Sequence, residues 1–301
     1  MLSQEDFARG FDRDIFEASL DEGVIRERND PLDEVQRSVI TDRGATSDYK
    51  VQALLRACIH GNMAGETSSP ASLILVDYQL QSLKSDKVFT AVTTGFTFSE
   101  YLGNLSNETK DKSLPTVIAY APFERPVKLN QSTATEGTTQ NAQMTLEPEV
   151  GGIKIGSAGF GGEKTSSHEQ KYFEQGRAGR HFDHGRAHVV WWNLVSNKSQ
   201  GSEITPQFRV AMLVERKSNA KFQADFKIAA KAGVGYKVQE IKDKWLYKTA
   251  IDDPIIFDPS KGPVGDLEGI DPLQLGKLKK RERLESLSFV PGLEMLGEGG
   301  N

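Results

Sequence analysis

The chain has a single cysteine, Cys58, so an intrachain disulfide is impossible and a zinc site built on thiolates is excluded. No apolar run approaches the length that spans a bilayer as a helix. The opening residues "MLSQEDFARGFDRD" lack the basic-then-apolar pattern of a secretion signal, and a soluble, cytoplasmic protein is the expectation. On that reading the sequons at Asn104, Asn107, Asn130 and Asn197 are chance matches in a Ser/Thr-rich chain. Basic charge is not in excess: 37 Lys and Arg against 42 Asp and Glu give a net charge of -5, which argues against a nucleic-acid partner. A Gly-x-Ser-x-Gly elbow and a His-Glu-x-x-His pair are both missing, so no catalytic residue is assigned.

What is present is enough apolar material for a core, 37% of 301 residues, arranged in three segments. Residues 1–69 read as an N-terminal helical segment. "SQEDFARGFDRDIFEASL" spaces Phe7, Phe11 and Ile15 four apart, with Ser3 and Asp6 placed as a capping box. "SDYKVQALLRACIHG" sets Val51, Leu54, Leu55, Cys58 and Ile59 on a helical stripe, with Gly61 where a C-terminal glycine belongs. Residues 70–231 read as a β-sandwich core of about eight or nine antiparallel strands, because the period changes to two. "KFQADFKIAAK" sends Phe222, Ala224, Phe226 and Ile228 one way and Lys221, Gln223, Asp225 and Lys227 the other. "SLKSDK" and "KSNA" look like hairpin loops between successive strands. Residues 232–301 read as an extended tail rich in proline and glycine, with a possible final helix in "LQLGKLKKRERLESL".

The stretch "GSAGFGGEKTSS" at 156–167 resembles a phosphate loop, but Glu163 stands where glycine is required and no amphipathic helix follows. A glycine-rich turn is the better reading. Residues 131–167 hold seventeen Ser, Thr or Gly in thirty-seven, the composition of a long, weakly amphipathic hairpin. "NAQMTLEP" alternates Ala142, Met144 and Leu146 against Gln143, Thr145 and Glu147, while Val150, Ile153, Ile155 and Phe160 supply further apolar side chains. Membrane barrels are built from hairpins of this kind.

His168, His181, His184 and His188 fall close together. Along an extended strand His181 and His184 point to opposite faces, and His184 and His188 share a face about 13 Å apart, so neither pair chelates and no metal is assigned. Trp191 and Trp192 in "VVWWNL" take opposite faces of one strand, which makes one of them core and the other a candidate platform. The candidate ligand-binding residues are therefore Trp191, Trp192, His184 and His188.

The segment "NLVSNKSQGSEITPQFRVAMLVERKSNAKFQADFKIAA", with "ASLILVDYQLQS" and "DDPIIFDP", resembles a family of cytosolic proteins of filamentous fungi, with Trp192 and Leu194 matching its Trp-x-Leu element. The resemblance implies a β-sandwich and no activity, and no cofactor is expected. The leading functional expectation is a non-enzymatic binding or protein-interaction module for a protein or small-molecule partner. The alternatives are a membrane-active, pore-forming-like protein that inserts the 131–167 hairpin, and an enzyme with an acid/base pocket between the sheets.

Overall fold

Alternating apolar and polar residues make strands because successive side chains leave a pleated backbone on opposite sides. The computed structural model describes residues 29, 35–43, 48–84, 87–101, 114–140, 164–183, 185–196, 203–234, 244–246, 252–265 and 267–293, and of 87, 130–140, 164–173, 183, 232–234 and 244–246 the backbone alone. Its strands are β1 (Val39–Arg43), β2 (Tyr49–Asn62), β3 (Pro70–Ser82), β4 (Lys87–Glu100), β5 (Thr116–Ala121), β6 (Val127–Gln140), β7 (Lys164–Asp183), β8 (Arg186–Val195), β9 (Gln207–Glu215), β10 (Phe222–Val234), β11 (Lys244–Leu246) and β12 (Ile255–Phe257). They form a five-stranded sheet in the order β1-β2-β3-β9-β5 and a seven-stranded sheet in the order β11-β10-β4-β8-β7-β6, with β12 also paired to β10. The described strand pairs are antiparallel. The chain is mainly β, as expected.

The two sheets close on one apolar interior. Phe96, Phe98, Phe222, Phe226, Ile228 and Trp192 of the larger sheet meet Val51, Ile74, Tyr78, Phe208 and Met212 of the smaller. Tyr78 stacks on Phe208 at 4.5 Å between ring centroids, and its hydroxyl shares a 3.0 Å hydrogen bond with Thr94 across the layers. Two expected hairpins are crossings between the layers. β3 and β4 belong to different sheets, as do β9 and β10, so "SLKSDK" and "KSNA" carry the chain from one layer to the other. Period-two alternation says that a face is buried but not which strand lies alongside.

The helix expected over residues 47–61 is a strand, β2. Val51, Ala53 and Leu55 line the interior, and a bulge at Arg56 then shifts the register against β3. Past it Cys58 still faces the interior while Ala57 and Ile59 face outward. That outer face is covered too. Pro272–Lys279, a 3-10 helix, and α1 (Arg281–Glu285) lay Leu275, Leu278 and Leu284 on Ala57, Ile59, Leu73, Leu75, Ala211 and Leu213. A strand buried on both sides, with one register shift, mimics the spacing of an amphipathic helix. Gly61 caps no helix; a Cβ there would sit 2.0 Å from the Pro272 carbonyl oxygen, so it is the point where the tail crosses β2. The other expected helix, at residues 3–20, lies outside the described residues.

The tail is fastened as well as packed. Arg43 donates to Asp252 at 2.5 Å with both side chains fully buried. Arg37 donates to the carbonyls of Val39, Asp253 and Pro254 at 3.0, 2.6 and 3.2 Å and also to Asn29. Farther on, Cys58 and Val264 exchange backbone hydrogen bonds of 2.9 Å, and Phe289 bridges to Arg209. Where the sequence suggests one final helix, a 3-10 helix and a five-residue α turn are separated by the extended backbone of Lys280. No helix among the described residues is long and apolar enough to cross a membrane.

Where β6 joins the larger sheet, the Phe123 ring lies against Gly176 of β7, and a Cβ on that glycine would meet the ring at 2.4 Å. Gly176→Ala is expected to lower stability by about 1–3 kcal/mol through overpacking, read as a fall in the urea midpoint at an unchanged slope. An unaltered midpoint refutes that packing.

Candidate functional site

The feature that sets this sandwich apart is the arm formed by β6 and β7. β7 pairs with β8 only from Gln175 to Asp183. Its first part, Lys164–Tyr172, pairs with Ser132–Gln140 of β6 in nine pairs and with no other described strand. Nine extended residues reach about 30 Å. Residues 141–163, which hold the Ala142/Met144/Leu146 alternation and the first part of the glycine-rich stretch, connect the two strands of the arm and are outside the described set. At its root a bulge between Leu129 and Ser132 disturbs the pairing, and buried Glu174 accepts a 2.8 Å hydrogen bond from the backbone N–H of Thr205.

The candidate ligand residues separate. Trp192 is core, edge-on to Tyr120 at 6.3 Å. Trp191 faces outward in a row formed by Lys227 (β10), Gly95 (β4), Trp191 (β8) and Gly179 (β7). Its indole lies over Gly179, where an added Cβ would come within 2.6 Å of Cζ2. On the same face Asp225 and Lys227 are half-buried rather than fully wet, contrary to the simple alternation: burial raises the Asp225 carboxyl and lowers the Lys227 ammonium, each partly offset by the other. His181 is exposed opposite Val189. His188 sits at the neighbouring bulge with Nδ1 buried and unpartnered. The His168 backbone pairs with Glu136, and His184 is outside the described residues. By strand pairing Trp191 is a diagonal neighbour of His181 on the outer face, about 7–8 Å away at Cα. Among the described residues no three His, Cys, Asp or Glu side chains form a group that could hold a metal ion.

Reading β2 as a helix hid a polar cluster inside the sandwich, because only a strand puts residues two apart on one side. Cys58 Sγ lies 3.5 Å from His60 Nε2, His60 Nδ1 pairs with Ser72 Oγ at 2.8 Å, and Gln36 Oε1 approaches Nε2 at 3.3 Å. The His60 ring meets Phe222 edge-on, and the Arg216 guanidinium stands over the same phenyl ring at 5.9 Å. A Cys–His pair is the outline of a nucleophile and its base, but the chemistry does not follow. Burial pushes the Cys58 thiol up, with Arg216 pulling it only partly back. Burial, with Arg216 adding to it and Asp258 opposing, pushes His60 down to about 4. Both groups are neutral near pH 7, and the thiol is fully buried. The cluster is a hydrogen-bonded piece of core.

Its titration has a measurable sign. An unfolded chain takes up a proton at His60 near pH 6.5, while the folded protein refuses it until about pH 4. The contribution to stability is complete above pH 6.5 and falls as pH drops toward 4. His60→Gln is expected to flatten the pH dependence of unfolding free energy in that window by up to about 1.4 kcal/mol per pH unit. An identical slope in variant and parent, measured by urea titration, contradicts the buried, neutral imidazole.

No family model matches the sequence, and no curated protein matches it. Among solved structures, the chain is similar to the Clostridium perfringens NetB toxin in its membrane-inserted form, at 9% identity and a TM-score of 0.21, over 71% of this chain and 84% of that one. A likeness at that score carries no argument.

Proposed function

We propose that this protein is membrane-active and that the β6–β7 arm is the element it inserts. The observation behind the reading is the arm itself, two strands paired to each other for nine residues beyond the last contact of β7 with β8. An isolated two-stranded ribbon is marginally stable in water, so it is the part of the sandwich that rearranges at least cost. A barrel strand crosses a bilayer in roughly 9–11 residues. The segment that the arm carries alternates small polar with apolar side chains around Met144, Leu146 and Phe160, the pattern that suits a lumen on one side and lipid on the other. The core stays behind as the scaffold, its sheets held by Tyr78–Thr94 and its tail by Arg43–Asp252.

Binding without turnover is the second reading, and Trp191 laid flat over Gly179 on the outer sheet face is what favours it. Enzymatic action draws less support, since the Cys–His pair is buried and neutral.

Because Cys58 is buried, a cysteine introduced at residue 143 or 144 can be labelled selectively in the native protein. Lipid vesicles loaded with a self-quenched dye are expected to leak when the full chain is added, either directly or after limited proteolysis. An environment-sensitive fluorophore should shift to the blue at Met144→Cys and not at Gln143→Cys, reporting alternate exposure to lipid. Silence in the leakage assay before and after proteolysis, with no shift at either position, ends the proposal.

A further inference from the structure

At the far end of β7 from the arm, the two sheets meet edge to edge. β5 is the outer strand of the smaller sheet, and β7 beyond Gly176 has no strand on its second side among the described residues. Arg180 spans the gap. Its Nη1 donates to the carbonyls of Val117 and Ile118 at 2.8 and 3.0 Å, where a bulge interrupts the pairing of β5 with β9. The guanidinium lies 5.5 Å from the Tyr120 ring centroid and 5.6 Å from that of Phe182, and Tyr120 in turn meets Trp192. A ladder of ring, cation, ring and ring therefore descends from Phe182, 58% exposed, to Trp192, fully buried.

Its polar groups are incompletely used. Trp192 Nε1 is buried with no acceptor. Both carbonyl contacts of Arg180 use Nη1, so Nε and Nη2 have no hydrogen bond among the described residues. Arg180 pairs with Val190 and Trp192 with Ala178, which makes the two side chains diagonal neighbours on the interior face, about 7–8 Å apart at Cα. The unused groups are all donors. The Glu124 carboxylate acts electrostatically on Tyr120 and on Arg281. Phe182, at the open end, is a large apolar ring with no core to fill.

We propose that this seam binds a small organic anion with a flat apolar body. Its acidic oxygens accept from Arg180 Nε and Nη2 and from Trp192 Nε1, and its body stacks on Phe182. The guanidinium fork suits a carboxylate or a phosphate alike. The site is independent of the arm and stands or falls without it.

The test is a titration of the full chain with phenyl phosphate, benzoate and inorganic phosphate, following the indole N–H resonance of Trp192, assigned with Trp191→Phe and Trp245→Phe. Phenyl phosphate or benzoate is expected to shift that resonance, with inorganic phosphate at least about tenfold weaker. Arg180→Gln should abolish the shift, and Phe182→Ala, a change at an exposed position, should weaken binding about tenfold. The proposal is overturned if no probe moves the resonance at about 10 mM. It is equally overturned if Arg180→Gln and Phe182→Ala both titrate like the parent, or if inorganic phosphate binds as tightly as phenyl phosphate, which would mean that the rings take no part.

Discussion

Everything in this architecture depends on the five-stranded sheet being covered twice. Its interior face packs on the larger sheet, and its outer face packs on Leu275, Leu278 and Leu284 of the tail. Side chains on both faces must then be apolar, and Leu73, Ile74, Leu75 and Val76 of β3 satisfy that in succession. Burying one leucine contributes roughly 1.5–3 kcal/mol. The three tail leucines therefore hold a layer that has little regular structure of its own. The larger sheet, with half-buried ions on its outer side, is under a looser constraint.

Polar groups inside the molecule act mainly as fasteners at seams. Arg43 and Asp252 neutralise each other where water is excluded, and Arg37 gathers the carbonyls left over where β1 and the tail run together. Removing one member of such a buried pair strands the other, so the pair specifies where the tail goes even when its net contribution is small. His60, Ser72, Cys58 and Gln36 do the same at the other end of β2. Arg180 closes the lateral edge and leaves Nε and Nη2 without a hydrogen bond among the described residues. The arm is anchored at its root, by Glu174 on the Thr205 backbone and by Gly176 against the Phe123 ring.

How far the sequence is legible follows from how many faces each strand buries. β10 buries one, and Phe222, Ala224, Phe226 and Ile228 declare it plainly. β2 buries two and carries a bulge at Arg56, so its spacing imitates a helix and conceals the Cys58–His60 contact. Pairing partners are not legible at all, because alternation is blind to neighbours, and on alternation alone the crossings after β3 and β9 look the same as hairpins. That Trp191 and Trp192 face opposite ways is a matter of parity and can be read directly, whereas the partners that make Arg180 and Tyr120 a ladder lie 60 residues or so apart and come together only through the meeting of two sheet edges.

The clasp between Arg43 and Asp252 joins residues 209 apart in sequence. On a ribosome, β1, β2 and β3 emerge long before their outer covering does, and their apolar outer face waits in water until the leucines of the tail have been made. Nascent chains of this protein thus spend much of their synthesis with that outer face bare, an apolar surface of the kind that makes incomplete chains prone to aggregate.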